Sequence, residues 1–543
     1  MTVSADDPDA RAQAQHWYAT GTYGRVTLPR AILNASHARP DFPVVFHSAA
    51  QGTTLTLAEL VDQACRCAAA FHGLGVEPGD AVAVQVPSWV ESVVAQAAAL
   101  LVGAVLVPVV PIYGPHELGF ILRESRARVL VTPDHLGRRD YLADLRRIGA
   151  CPDLSSVVVL GDPGAEGHIG WTTLLHGAEP MTSVQDASPD DVCLLVYTSG
   201  TTGQPKGVQH THNTLLAEMR TALTGTDPDS VVLAAFPSGH VAGTLGLLRM
   251  LTQPTRHIVM DTWDASTAAR LIDNHGVTAT GGTPFFLTTL LDLAERGEAD
   301  LSSLREYGVG GASVPSAVIE RAHQHGIAAF RAYGSSEHPS ISGGSARDAL
   351  DKRTHTDGRL LDGVEIRIVD DTLGDLPPGR EGEILSRGPE LFVGYRDHTL
   401  DSDALLPGRW FRTGDIGTLD PDGYLTITDR RKDIIIRGGE NLSSKQIEDV
   451  LANHEAVADV AVVAAPDALY GERVCAFVVL QPAITLSLAD IRAHFATAGI
   501  ARQKTPERLE IIDSLPRTAT GKVRKAELRQ RLHPPADPYG STP

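Results

Sequence analysis

The stretch from Leu194 to His212, LLVYTSGTTGQPKGVQHTH, gathers groups able to hold an anion. Its loop, 198–207, carries four hydroxyls (Thr198, Ser199, Thr201 and Thr202), three glycines (Gly200, Gly203 and Gly207) and one cation, Lys206. A run of apolar and β-branched residues leads in and a segment with helical spacing follows, an order of strand, loop and helix in which backbone N–H groups can face a phosphate. The common nucleotide-hydrolase loop needs a glycine directly before its lysine and a serine or threonine directly after, whereas Lys206 lies between Pro205 and Gly207. Hydrolase chemistry of that type is therefore excluded.

Five further stretches follow in order: GGASVP (310–315), YGSSE (333–337), WFRTGDIG (410–417), DRRKDIIIRGGENLSSKQIE (429–448) and LPRTATGKVRK (515–525). With the loop, they make the chain resemble the acyl-adenylate-forming superfamily, which holds acyl-CoA synthetases, adenylation domains of peptide synthetases and firefly luciferase. The resemblance covers nearly all of the chain beyond its N-terminal stretch. It implies a reaction in which a carboxylate, itself a poor acyl donor, is joined to the α-phosphate of ATP with loss of pyrophosphate, after which a thiol displaces AMP. Two anions must meet, and preorganised positive charge is the remedy.

Roles follow from the resemblance, position by position. Thr198, Ser199, Gly200, Thr201, Thr202, Gly203 and Lys206 hold the β- and γ-phosphates as they depart, with Lys206 also counted as catalytic. Gly310, Gly311 and Ala312 line the adenine and Tyr333 stacks on it; Gly334, Ser335 and Ser336 continue the cradle, Ser336 reaching the α-phosphate. Glu337, with Thr201, binds Mg²⁺, a hard cation suited to carboxylate and phosphate oxygens. Asp415 accepts hydrogen bonds from the ribose hydroxyls, and Arg430 contacts ribose and phosphate. Lys522 is the catalytic cation that enters the first domain during adenylation, Lys432 the hinge, and Gly438 and Gly439 the path for CoA. His240, Val241, Gly310, Gly334 and His338 line the acyl pocket, His240 as its gate. His210 and His212 are assigned structural or capping roles.

Departures from the superfamily pattern bear on the substrate. Phe236 is followed by Pro237 and Ser238, with no acid nearby to pair with an amino-acid ammonium, and Val241 stands where 2-hydroxybenzoate enzymes place Asn. The stretch 260–292 is similar to cyclohexanecarboxylate and medium-chain acyl-CoA ligases. The expected function is an ATP- and Mg²⁺-dependent acyl-CoA synthetase for a medium-chain, alicyclic or related hydrophobic acid, with CoA as acceptor. A standalone ligase loading a carrier-protein pantetheine and a catalytically inactive nucleotide-binding homologue are the alternatives.

Elements able to position these residues are legible. The 543 residues exceed what one core usually supports. With 43% hydrophobic and 21% charged residues the composition is that of a globular protein. A net charge of −19 argues against nucleic acid as a partner, so any bound anion needs local devices. None of the five cysteines forms a CxxC pair, which points to a reducing, cytoplasmic setting; a homodimer is admitted as an assembly.

Between about residues 54 and 340, β-branched runs such as AVAVQV, ARVLVT, SVVVL and RHIVMD alternate with amphipathic stretches, the pattern of helix-covered parallel sheets. The apolar stretch 93–110 is divided by Gly103 and reads as a buried helix and strand, not a membrane span. The expected class is α/β: an N-terminal domain of mostly parallel sheets over 1–429 with a β-rich subdomain at about 355–429, a hinge at 430–432, and a small mobile α+β domain over 433–543 ending in a basic tail.

Overall fold

The computed structural model describes residues 8–532, apart from 49–51, 165, 183, 185–186, 199–204, 222–226, 228, 254, 438–439, 468, 499–501 and 519–520. The strands Ala81–Val84 and Val105–Pro108 are buried at every position. Burial on both faces is why they read as unbroken apolar runs without alternation. They lie in a sheet whose order is Gly394–Tyr395, Lys206–Thr211, Val192–Thr198, Val105–Pro108, Ala81–Val84, Ala127–Pro133, Ser156–Leu160 and Ile169–Gly170. It is parallel from Val192–Thr198 onwards. The first two strands are added antiparallel. The stretch 93–110 divides as expected, into helix Val90–Leu101 and strand Val105–Pro108, with Gly103 turning the chain at φ +81°, a conformation side chains resist. Among the described residues no helix is long and apolar enough to cross a membrane.

A second sheet contains, in order, Ala328–Tyr333, Glu306–Val309, Ala279–Gly282, Val231–Ala234, Arg256–Met260 and Pro43–His47, all parallel. Four of these strands therefore end on one side of the sheet and lead into Gly334, Gly310, Thr283 and Phe236, the region where open α/β sheets hold ligands. Helix Ala265–His275 has the expected start and stop: the Asp264 carboxylate accepts from Thr267 N–H, and Gly276 closes it at φ +61°.

The expected β-rich segment holds Glu365–Val369, Gly382–Arg387, Trp410–Leu419 and Leu425–Arg430, joined antiparallel. Beyond it, Ile435–Arg437, Val457–Asp467 and Gly471–Leu480 form a sheet covered by helices Ser444–Ala452 and Leu488–Thr497. The final segment is more ordered than a basic tail. Strand Arg508–Ile511 extends this sheet in parallel with Gly471–Leu480, and helix Lys525–Leu532 buries Leu528 and Leu532 against Val463, Cys475 and Phe477.

Candidate active site

The anion-binding stretch departs from strand, loop and helix. Val192–Thr198 and Lys206–Thr211 are the two arms of an antiparallel hairpin that pairs Thr198 with Lys206, and the helix begins only at His212. The second arm is a strand because it is sandwiched: Val192–Thr198 pairs on one side and Gly394–Tyr395 on the other, with Val208 opposite Tyr395. Ser199, Gly200, Thr201, Thr202 and Gly203 lie outside the described residues, as do Gly438 and Gly439. Lys206 rests over the ring of Tyr395, 5.1 Å from its centroid, and the Tyr395 hydroxyl donates to Glu337 Oε1 at 2.9 Å. Tyr395 thus joins two residues singled out from the sequence and was itself missed.

Glu337 sits in a tight turn after strand Ala328–Tyr333. Ser335 N–H donates to the His338 carbonyl, His338 N–H to Ser335 Oγ, and a Cβ at Gly334 would overlap the carbonyl of Pro339. Beneath it, His210 Nε2 donates to the carbonyl of Ser336 at 2.8 Å. Burial lowers His210 to about 4, so the ring is neutral and its support does not depend on pH near neutrality. His212 likewise has a structural place, its Nδ1 accepting from Leu28 N–H. The ring of His338, expected in the acyl pocket, is fully buried, bonded to Ser386 Oγ at 2.9 Å and 3.8 Å from Glu390.

Gly310 and Gly311 follow the neighbouring strand. A Cβ at Gly310 would stand 2.7 Å from the Ala332 carbonyl, and Gly311 adopts φ +76°, so Gly310, Gly311 and Ala312 pass close to the end of Tyr333. The Tyr333 hydroxyl donates to Asp415 Oδ2 at 2.7 Å, and Arg430 Nε meets Asp415 Oδ1 at 3.0 Å across the paired strands. Burial and then the Asp415 charge keep the phenol well above its ordinary range, hence a donor. With its hydroxyl pinned, Tyr333 has its ring held in one orientation. Asp415 retains acceptor capacity on each oxygen after these two bonds.

Lys522 enters from the C-terminal segment on a turn closed by Thr518 N–H to the Lys522 carbonyl at 2.8 Å. That turn lies against Thr283 and Phe285: a Cβ at Gly521 would stand 3.0 Å from Thr283 Oγ1 and 3.3 Å from Phe285 Cβ. The Arg517 guanidinium covers the Phe285 ring at 5.6 Å. Lys522 therefore joins Arg430 and Lys432. Their charges, Arg430 first, then burial and then Lys432, lower the ammonium to about 7 against the partial offset of Asp415 and Asp433. Lys432 is itself lowered, by burial and then by Arg430. Three cations whose charges act on one another, offset only in part by Asp415 and Asp433, favour an anion beside Lys522. Lys432, the expected hinge, lies between strands Leu425–Arg430 and Ile435–Arg437.

Beside this cluster stands an apolar wall. His240 caps helix Val241–Thr252 through Ala242 N–H and stacks on Phe236, with centroids 6.1 Å apart. Burial and then the Lys522 charge lower it to about 4. Phe236 meets Phe286, which stacks on Trp263 at 4.1 Å; Val241 is buried below. Phe286 and Trp263 were not marked from the sequence, although both fall in the stretch similar to cyclohexanecarboxylate ligases. Of the expected pocket residues, His240 faces Lys522 and Gly310 and Gly334 lie at neighbouring strand ends.

Residues 33–396 match the family described as AMP-binding enzyme, and residues 446–522 match the AMP-binding enzyme C-terminal domain. The chain belongs to the AMP-binding enzyme family. It is 35% identical to a medium-chain fatty-acid–CoA ligase of Escherichia coli over 94% of this chain and 91% of that one. Against a salicylyl-CoA synthase / salicylate adenylyltransferase of Streptomyces it is 34% identical over 89% and 90%. Its fold matches the crystal structure of the anthranilate CoA ligase AuaEII in complex with anthranoyl-AMP with a TM-score of 0.84, 26% identity and coverage of 94% and 97%. This AMP-binding enzyme is an AMP-forming acid–thiol ligase of the acyl/aryl-CoA ligase group.

Proposed function

We propose that this enzyme activates a hydrophobic carboxylic acid, medium-chain or alicyclic, as its acyl-adenylate and transfers the acyl group to CoA. The observation that carries this reading is the meeting of Lys522, Arg430 and Lys432 beside the wall of Phe236, Phe286 and Trp263, a cationic point next to an apolar one. A carboxylate oxygen bonds to the α-phosphorus of ATP, and the bond from that phosphorus to the bridging oxygen breaks, releasing pyrophosphate. Lys522 and Arg430 neutralise the two anions at their approach. In the second step the thiol sulfur bonds to the acyl carbon, the bond to the AMP oxygen breaks, and the thiol proton is lost to solvent.

Mg²⁺ fits the site. Glu337 offers a carboxylate with one oxygen on Tyr395 and the other accepting no hydrogen bond among the described residues, and Mg²⁺ is commonly held by a single carboxylate plus phosphate oxygens. When bound, it would supply charge neutralisation at the phosphates. Tyr333 and Asp415 orient the nucleoside, and His240, neutral and apolar-packed, closes the acyl side. Two boundaries complete the proposal: residues 1–429 form the body and 433–543 a domain that turns about 430–432 between the two steps.

An aryl acid is the second reading, favoured by the stacked Trp263–Phe286 pair and by the aryl-acid relatives, with a carrier-protein thiol as the corresponding acceptor. Pyrophosphate release measured over straight-chain, alicyclic and aryl acids, with CoA or a pantetheinylated carrier protein, tests both. Turnover only with aryl acids and a carrier replaces the first reading by the second. No pyrophosphate with any acid removes both.

A further inference from the structure

Lys206 and Glu337 carry opposite charges at the same end of the site, yet among the described residues neither makes an ion pair. What lies between them is Tyr395. It is 2% exposed, and its position is fixed from several directions. Its N–H donates to Asp401 Oδ1 at 2.7 Å, its carbonyl accepts from Gln209 Nε2 at 2.9 Å, and its ring packs edge-on to Phe392 with centroids 4.9 Å apart. Gly394, at φ +144°, lets the chain pass the Asp401 carboxylate, where a Cβ would stand 3.0 Å from Oδ2. A phenol held this rigidly presents one face and one hydroxyl, each in one place.

Resting on the functional reading above, we propose that Tyr395 is a positioning residue that keeps the phosphate-binding cation and the metal-binding carboxylate apart and aimed. Its ring face carries Lys206 by cation–π attraction and its hydroxyl holds Glu337 in one rotamer. Without the ring, the ammonium collapses onto the carboxylate, and the two neutralise each other before a nucleotide arrives. Without the hydroxyl, only the carboxylate is released.

The two functions separate in a binding experiment that needs no turnover. Titration of α,β-methylene-ATP by calorimetry is run with Mg²⁺ and with EDTA, on the wild type, Tyr395→Phe and Tyr395→Leu. Tyr395→Phe should bind within about twofold of wild type in EDTA but about tenfold more weakly with Mg²⁺, since it loses only a hydrogen bond to a charged group. Tyr395→Leu should be weakened under both conditions, by about fivefold or more in EDTA. Equal behaviour of the two variants, or a Tyr395→Phe enzyme that keeps the full gain from Mg²⁺, overturns the role; if Tyr395→Leu fails to fold, the isosteric Tyr395→Phe decides alone. A wild-type protein that binds no nucleotide overturns the functional reading as well.

Discussion

Lys522 makes anion binding measurable through protons. Crowded by Arg430, burial and Lys432, its ammonium falls from the ordinary 10.5 to about 7 while Gly521 rests against Thr283 and Phe285. A gap of that size corresponds to about 5 kcal/mol against carrying the charge. An anion placed among the three cations removes that cost and returns the lysine towards its ordinary value. With Lys522 lowered, the free protein binds fewer protons than the complex across that window, so binding takes up a proton between about pH 7 and 10.5 and little below it. Uptake should be about 0.1 proton at about pH 6 and about 0.9 at about pH 8. The assay is calorimetry of an acyl-adenylate analogue with sulfamate in place of phosphate, repeated in buffers of different ionisation enthalpy. Lys522→Met should abolish the uptake, and Lys432→Met should reduce it at about pH 8 by relieving one neighbouring charge. Uptake below about a tenth of a proton at about pH 8, or equal in wild type and Lys522→Met, refutes the crowding argument.

Two further expectations test other parts of the architecture. Gly521→Val places a branched side chain at φ +82° against Thr283 and Phe285; acyl-AMP formation should fall by at least about a hundredfold while conversion of supplied acyl-AMP and CoA persists, read as two separate half-reaction assays. Glu218, raised to about 7 mainly by burial and only partly countered by Arg249, binds its proton more tightly folded than unfolded. Stability from this group is therefore fully present below its ordinary 4.5 and is lost as pH rises towards 7, a fall in melting temperature over that window that Glu218→Gln should flatten.

The parallel sheets were legible because strands buried on both faces leave continuous β-branched runs and because Asp264 and Gly276 mark a helix at both ends. The second arm of the antiparallel pair Val192–Thr198 and Lys206–Thr211 was not: KGVQHT has a single buried aliphatic side chain, Val208, and becomes a strand only because Gly394–Tyr395, distant in sequence, pairs with its outer edge. The same distance hid Tyr395, which in FVGYRD reads as any core aromatic. The buried contacts of His338 with Ser386 and Glu390, both distant in sequence, are likewise encoded by no local pattern around YGSSEH. The final helix escaped notice because KAELRQRL offers only Leu528 and Leu532 to a core. Lys522 was marked, but its perturbed charge depends on Arg430 and Lys432 arriving from another segment, which no local pattern encodes.

One turn of chain, Thr283 to Phe286, carries two duties on adjacent side chains. Phe285 receives Arg517 and the Gly521 turn, while Phe286 stacks on Trp263 in the apolar wall proposed to face the acyl group. Drift in substrate range is therefore not equally free on all sides of the pocket. A change at Val241, on another helix, can alter the acyl side and leave the docking ledge alone, whereas one at Trp263 acts on Phe286 directly. A change that shifts the backbone under Phe286 moves Phe285 with it, so that an ill-fitting acid is penalised in turnover even where it is accepted in binding. Descendants of this chain seeking new acids should diversify first at the wall positions remote from that ledge.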